Sequence, residues 1–147
     1  MKRVAVIASL LLSSAAKADV RDGFVTWASF ECSHYAELAG RETERNNHFE
    51  RGYETGMRLL SELRTGAISK DQAFEEFPIG LSMRLSGPNH DFIIGRVYEA
   101  ATTNADDRVI RRDNNGYPLP IDEWISNEEL VMTRANGLYL SSNCSAL

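Results

Sequence analysis

The sequence lacks the short motifs that mark the common enzyme classes. It contains no Gly-x-Ser-x-Gly nucleophile turn, no glycine-rich phosphate loop and no His-Glu-x-x-His zinc helix. Its three histidines, His34, His48 and His90, include no pair at the i, i+3 or i, i+4 spacing with which one helix binds a metal. These absences favour binding over catalysis, and we expect neither a metal nor another cofactor.

Positive charge is also scarce in this chain. Its 147 residues carry 21 acidic and 16 basic side chains, a formal net charge of −5. Such an excess of negative charge repels phosphate backbones and anionic lipid headgroups, so we expect no nucleic-acid partner. The acidic excess either keeps the protein in solution or suits a basic protein or a cationic ligand.

Hydrophobic runs are missing except for a short one at residues 4–12. Two basic residues precede it, and the small residues Ala16 and Ala18 follow it, so residues 1–18 are predicted to be a secretory signal peptide that is removed. The run is too short to span a bilayer, and we expect no membrane span in the remaining single domain, residues 19–147. Signal removal would leave 13 of the 16 basic residues against 21 acidic ones, a net charge of −8. We therefore expect an exported protein, located in a bacterial periplasm or secreted.

Only two cysteines are present, Cys32 and Cys144. The Cys-x-x-Cys spacing of redox-active pairs is absent. In an oxidising compartment this even pair is predicted to form a structural disulfide. It would join the first helix to the last few residues, and closing a loop of roughly 100 residues stabilises a fold by about 4–5 kcal/mol on the chain-entropy account.

Apolar residues recur at helical spacing along most of the chain, most clearly at residues 48–63. Gly52 and Gly56 lie four residues apart beside this apolar stripe. Glycine destabilises a helix interior by roughly 1 kcal/mol relative to alanine, so two glycines in one helix indicate a structural or functional requirement for them. We expect them to permit close helix packing, with backbone contact by a ligand as the alternative. Gly95, in a later apolar helix, is expected to allow the same close approach.

The helix ends carry their own signals. Ser69 and Ser126 each stand three residues before a Gln or Glu, as in a capping box, and Asn89 is a further predicted cap. The apolar residues of 79–85 alternate as in a strand but also recur four apart as in a helix, and we predict a helix because no second strand is found. The sequence thus predicts an all-α fold, a compact single-domain bundle of about five helices with its ends tied by one disulfide.

Residues 113–123 form the clearest predicted loop. They contain an Asn-Gly turn signal and two prolines that enforce an extended path. Tyr117, Leu119 and Trp124 lie in or beside this loop, where large side chains typically anchor protein interfaces. We predict that these three residues bind a partner; the alternative is that they fold back and cover the core.

Three functions remain open at this point. The first is a small exported binding or accessory protein, such as an inhibitor or immunity-type factor, acting on an unidentified protein partner. The second is a small hydrolase or metal-dependent enzyme, with a cross-helix site built from His34, His48 and a carboxylate such as Glu31 or Glu44. The third is an envelope stress or chaperone-like protein. The sequence leaves the oligomeric state open.

Overall fold

The computed structural model describes residues 20–147, and the predicted signal peptide lies outside them. No strand is present within these residues, which confirms the all-α prediction. None of their helices is both long and apolar enough to cross a membrane. The described part of the chain contains six α-helices and two single-turn 3-10 helices: α1 (Val20–Leu38), α2 (Glu42–Thr65), α3 (Lys70–Glu76), α4 (Ile79–Ser82), α5 (His90–Ile110), the 3-10 helix Ile121–Glu123, α6 (Glu128–Ser141) and the 3-10 helix Cys144–Ala146.

Helix α1 lies at the centre of the fold because two of its faces are buried. On one face, the completely buried Phe30 belongs to a cluster that joins α1 to α2, α3, α4 and α5. On another face, the completely buried Tyr35 belongs to a second cluster, shared with α5 and α6. Burying side chains of this size stabilises a fold by about 1.5–3 kcal/mol each, so these two clusters position α5 and α6 relative to α1.

The predicted disulfide between Cys32 and Cys144 is confirmed. It joins two residues separated by 112 positions in sequence, with their Cα atoms 5.6 Å apart. Both cysteines are buried within the second cluster. The bond therefore ties the C-terminal 3-10 helix to the central helix α1.

The three glycines singled out in the sequence have different surroundings. A Cβ atom on Gly52 would lie 2.6 Å from the Phe30 ring, and one on Gly56 would lie 2.5 Å from Cδ1 of Ile94. These neighbours are side chains packed against α2. The prediction for Gly95 was wrong, because a Cβ atom there would meet nothing within 4 Å. Gly95 lies on the exposed face of α5.

The predicted helix ends are mostly correct. Ser69 Oγ accepts a hydrogen bond from the Gln72 N–H (3.1 Å), and Asn89 Oδ1 accepts one from the Phe92 N–H (2.9 Å). Asn127, one residue after the predicted Ser126, caps α6 by accepting from the Leu130 N–H.

Residues 79–85, predicted to be a helix, contain only the single helical turn of α4. Leu81 is its one buried residue, whereas Ile79 and Met83 remain exposed. With so little apolar surface buried, the segment does not continue as a longer helix.

Candidate functional site

Residues 113–124 form a loop after α5, and hydrogen bonds fix its first turn. Asp113 Oδ1 accepts the backbone N–H groups of Asn115 (2.9 Å) and Tyr117 (2.8 Å). The Asp113 N–H in turn donates to the Tyr117 carbonyl oxygen (2.9 Å). Gly116 completes the turn with a φ of 84°, a left-handed conformation that glycine adopts without strain. The turn is therefore held by its own backbone and by one carboxylate.

Two arginines attach this turn to the helices on either side. Arg112 pairs with Asp107 of α5 and donates to the Gly116 carbonyl oxygen (3.0 Å). Arg134 of α6 donates to the Arg112 carbonyl oxygen (2.6 Å) and to Asn114 Oδ1 (3.2 Å). A loop ordered before binding loses less conformational entropy when a partner docks, so this arrangement favours recognition.

Trp124 closes the far end of the loop. Its indole N–H donates to the Leu119 carbonyl oxygen (3.3 Å), and the guanidinium carbon of Arg111 lies 4.6 Å from the ring centroid. This distance permits a cation–π interaction. The Ile125 N–H donates to the Ile110 carbonyl oxygen (3.0 Å), which returns the chain to the end of α5.

The large side chains of the loop reach solvent. Tyr117 is 70% exposed and Trp124 is 38% exposed, whereas Leu119 is half-buried. The two aromatic side chains therefore do not fold back into the core. Their role in binding, and that of Leu119, stays a prediction.

Ile121 is a further surface residue that sequence reasoning missed. It begins the 3-10 helix Ile121–Glu123 and is 78% exposed, more than any other large hydrophobic side chain in the described part of the chain. One sequence signal pointed to this exposure. The isoleucine stands between a proline and two acidic residues in a predicted loop, outside any apolar stripe of a helix. We therefore name Tyr117, Ile121 and Trp124 together the apolar edge.

A groove of about 450 Å³ lies beside the loop, between α5 and α6, and three arginines line it. Each already interacts with the protein. Arg112 pairs with Asp107, the Arg108 guanidinium carbon lies 5.8 Å from the Tyr35 ring centroid, and Arg134 donates to carbonyl oxygens that include that of Arg108. Positive charge at the C-terminal end of a helix is stabilising, so these arginines stabilise the end of α5 and the loop attached to it.

Acidic residues lie between Ile121 and Trp124 of the apolar edge and again after Trp124. Asp122, Glu123, Glu128 and Glu129 are all exposed. None of them belongs to an ion pair formed among residues 20–147. The surface beside Ile121 and Trp124 therefore presents carboxylates that have no cationic partner within the described fold.

The histidines of the hypothetical enzyme site have separate partners. His34 lies with Nδ1 3.3 Å from Glu37 Oε2 and Nε2 3.6 Å from Asp106 Oδ1. His48 is buried, its Nε2 forms a 3.0 Å hydrogen bond with the Tyr139 hydroxyl, and burial lowers its pKa. The two histidines share no partner group in these contacts; the one with Asp106 joins α1 to α5, and the one with Tyr139 joins α2 to α6.

The carboxylates of the same hypothesis are also engaged elsewhere. Glu31 accepts a hydrogen bond from Asn104, and burial raises the pKa of its carboxyl group. Glu44 lies 3.7 Å from the guanidinium of Arg41. Burial lowers the pKa of His48 and Glu44 lies near enough to oppose that shift, but no hydrogen bond or ion pair within residues 20–147 joins either carboxylate to either histidine.

The Asp113 turn gives a pH-dependent prediction. The Tyr117 N–H, more than any other group, holds the pKa of Asp113 below its ordinary value of 3.8. Because the folded-state pKa is depressed, the carboxylate stabilises the loop above the unfolded-state pKa, and this stabilisation is lost as pH falls through the folded-state pKa. In a ¹H–¹⁵N NMR titration, we expect the amides of Asn115 and Tyr117 to shift together with a midpoint below 3.8.

The matched control for this titration is Asp113→Asn, which keeps an acceptor oxygen but removes the titrating group. Both amide shifts should disappear in this variant. A midpoint at or above 3.8 in the unaltered protein would contradict the assigned hydrogen bonds.

Hydrogen bonds thus hold the loop in place, and it carries the exposed side chains of the apolar edge. Within residues 20–147, no group of three or more His, Cys, Asp or Glu side chains is placed to hold a metal ion. No protein-family model, curated protein or solved structure matches the chain.

Proposed function

We propose that this protein binds a protein partner through the apolar edge of the 113–124 loop, as an exported accessory protein of the inhibitor or immunity type. One observation carries the proposal: Tyr117, Ile121 and Trp124 are exposed on a loop whose backbone is held in place by hydrogen bonds to α5 and α6. Export is proposed from the signal-like segment at residues 1–18. The disulfide suits an oxidising compartment.

The energetic argument starts from the exposed surface. Tyr117 and Ile121 leave most of their apolar area in water, where it adds little to folding. If a partner covered these side chains, the transfer free energy of their apolar area would contribute to the free energy of binding instead. The hydrogen bonds around Asp113 have already fixed the backbone, so less ordering entropy opposes the association. Aromatic side chains held this way are the residue type enriched at interface hot spots.

A second candidate, chaperone-like binding, is favoured by a different surface. Phe74 on α3 is 67% exposed and Met83 after α4 is 65% exposed. Both line a mostly apolar groove of about 260 Å³. Exposed apolar patches often mark sites that bind other proteins. Partner binding by variants of this groove is therefore compared with partner binding by variants of the loop.

The deciding experiment compares two double variants in a pull-down from envelope extract. Tyr117→Ala/Trp124→Ala should lose one specific partner, with its Kd raised about thirty-fold or more, because truncating a hot-spot residue costs at least about 2 kcal/mol. Phe74→Ala/Met83→Ala should retain that partner. Circular dichroism melting of both variants checks that each is folded.

The opposite pattern would refute the loop proposal. Retention by the loop variant, with loss of many unrelated proteins by the Phe74→Ala/Met83→Ala variant, would instead support the chaperone-like function.

A further inference from the structure

We propose that the partner presents a basic surface around an apolar socket, with Ile121 and Trp124 entering the socket and Asp122 and Glu123 facing its cationic side chains. This inference rests on the proposed function and specifies the partner's chemistry. It begins from the fact that two acidic side chains, Asp122 and Glu123, stand between the apolar side chains of Ile121 and Trp124 in one short segment of the loop.

Backbone hydrogen bonds hold these four residues in one turn. The Trp124 N–H donates to the Ile121 carbonyl oxygen (3.3 Å), and the Glu123 N–H donates to the Pro120 carbonyl oxygen (2.9 Å). The cation–π contact between Arg111 and Trp124 holds the end of the turn. Ile121 and Trp124, three residues apart in this 3-10 turn, share one face, and Asp122 and Glu123 flank that face within the same turn.

The carboxylates of this turn favour a cationic partner, because the arginines that line the neighbouring groove interact with other groups of the protein. Glu128 and Glu129 lie in the first turn of α6, where negative charge stabilises a helix. Asp122 and Glu123 lie in a 3-10 helix of only three residues, which supplies little compensating dipole. Neither forms an ion pair within residues 20–147. A neutral or acidic partner would desolvate both carboxylates without compensation, whereas lysine or arginine side chains would pair with them.

The whole chain reinforces this local charge. With 21 acidic against 16 basic residues, its formal net charge is −5. A negative protein with unpaired carboxylates beside its contact surface attracts a basic partner before contact, which raises the association rate constant. The two apolar side chains would act after contact, mainly by slowing dissociation.

The first test locates the contact in the producing cells. A photoreactive phenylalanine analogue is incorporated in place of Ile121 or, as a control, in place of the similarly exposed Phe74 on α3. We expect cross-linking to one protein from position 121 only, and we expect that protein to carry net positive charge. A cross-linked partner with an acidic surface would overturn the inference and leave the proposed function standing. Cross-linking from position 74 alone would overturn both.

The second test measures association kinetics with the purified cross-linked partner. Asp122→Asn/Glu123→Gln should lower the association rate constant about ten-fold at low ionic strength. The difference should vanish near 1 M salt, where the Debye length is about 3 Å. The control, Glu75→Gln/Glu76→Gln on α3, removes the same charge from another exposed acidic pair and should change the rate less than about two-fold, since that pair lies outside the contact.

Equal rate changes for the two variants would overturn the inference, because the acidic residues of the loop would then have no special role. Loss of binding by Ile121→Ala with no rate change in Asp122→Asn/Glu123→Gln would keep the docking loop but reject the basic partner surface.

Discussion

Replacing both cysteines by alanine is expected to lower the free energy of unfolding by about 4–5 kcal/mol. Cys32 and Cys144 are separated by 112 positions, so the bond restricts almost the whole described chain in its unfolded state. On the chain-entropy account, a loop of this length gives nearly the largest stabilisation that one disulfide provides. Typical domains are stable by only about 5–15 kcal/mol, so this loss would remove a large share of the total.

The measurement is urea unfolding followed by tryptophan fluorescence, with thermal melting beside it. The melting temperature should fall by roughly 15 °C for a domain of this size. A reducing agent should bring the unaltered protein to the stability of the double variant and leave the variant unchanged, because the chain has no other cysteine. Equal stabilities of the oxidised protein and the double variant would show that the bond is not a structural staple.

Binding should survive in the folded double variant. Helix α6 has two further attachments to the region around α2: Arg41 donates to Asn136 (3.0 and 2.6 Å), and His48 bonds Tyr139 (3.0 Å). Arg134 can therefore still hold the loop when the disulfide is absent.

The second large effect is expected from Gly52→Ala, which should lower the free energy of unfolding by about 1–3 kcal/mol through overpacking. The new Cβ atom would lie 2.6 Å from the Phe30 ring. That ring is completely buried and packs against the ring of Tyr98 at a centroid distance of 5.2 Å, so it has little room to move. The steric cost should exceed the roughly 1 kcal/mol that alanine gains over glycine in a helix.

Alanine substitutions at two other glycines serve as controls for the Gly52→Ala prediction. Gly56→Ala should cost less than Gly52→Ala, because its closest neighbour is Cδ1 of Ile94, the end of a flexible side chain. Gly95→Ala should raise stability by about 0.4–1 kcal/mol, because the site is open and alanine restricts the unfolded chain. Chemical denaturation of all three variants gives the order, and a Gly52→Ala variant as stable as Gly95→Ala would contradict the packing described above.

Local sequence chemistry was sufficient to predict the helices and several of their ends. Apolar periodicity predicted helices along most of the chain, most clearly α2, because a helix must direct one stripe of side chains towards the core. Side-chain oxygens at Ser69 and Asn89 identified helix starts, because a cap acts over only three residues. The same short range limits how precisely a helix start can be placed. Ser126 and Asn127 are both suitable cap residues, and Asn127 caps α6.

The candidate site was only partly predictable for a related reason. The Asn-Gly signal and the prolines predicted a loop, but the sequence left open whether Tyr117 and Trp124 cover the core, and the structure shows both exposed. The sequence did not show that Arg134, 20 residues from Asn114, would hold the turn. Such a contact depends on where α6 packs, and no local pattern specifies that position.

The all-α class, the cysteine pair and the place of the loop could be predicted from the sequence, because each depends on residue type and on spacing along one chain. Which glycines are enclosed, the exposure of Ile121 and the separate partners of the histidines depend instead on how the helices pack. Two glycines of α2 lie under side chains, whereas Gly95 of α5 faces solvent. A residue is buried only when a second element packs against its own, and its neighbours in sequence describe only the surface of its own element.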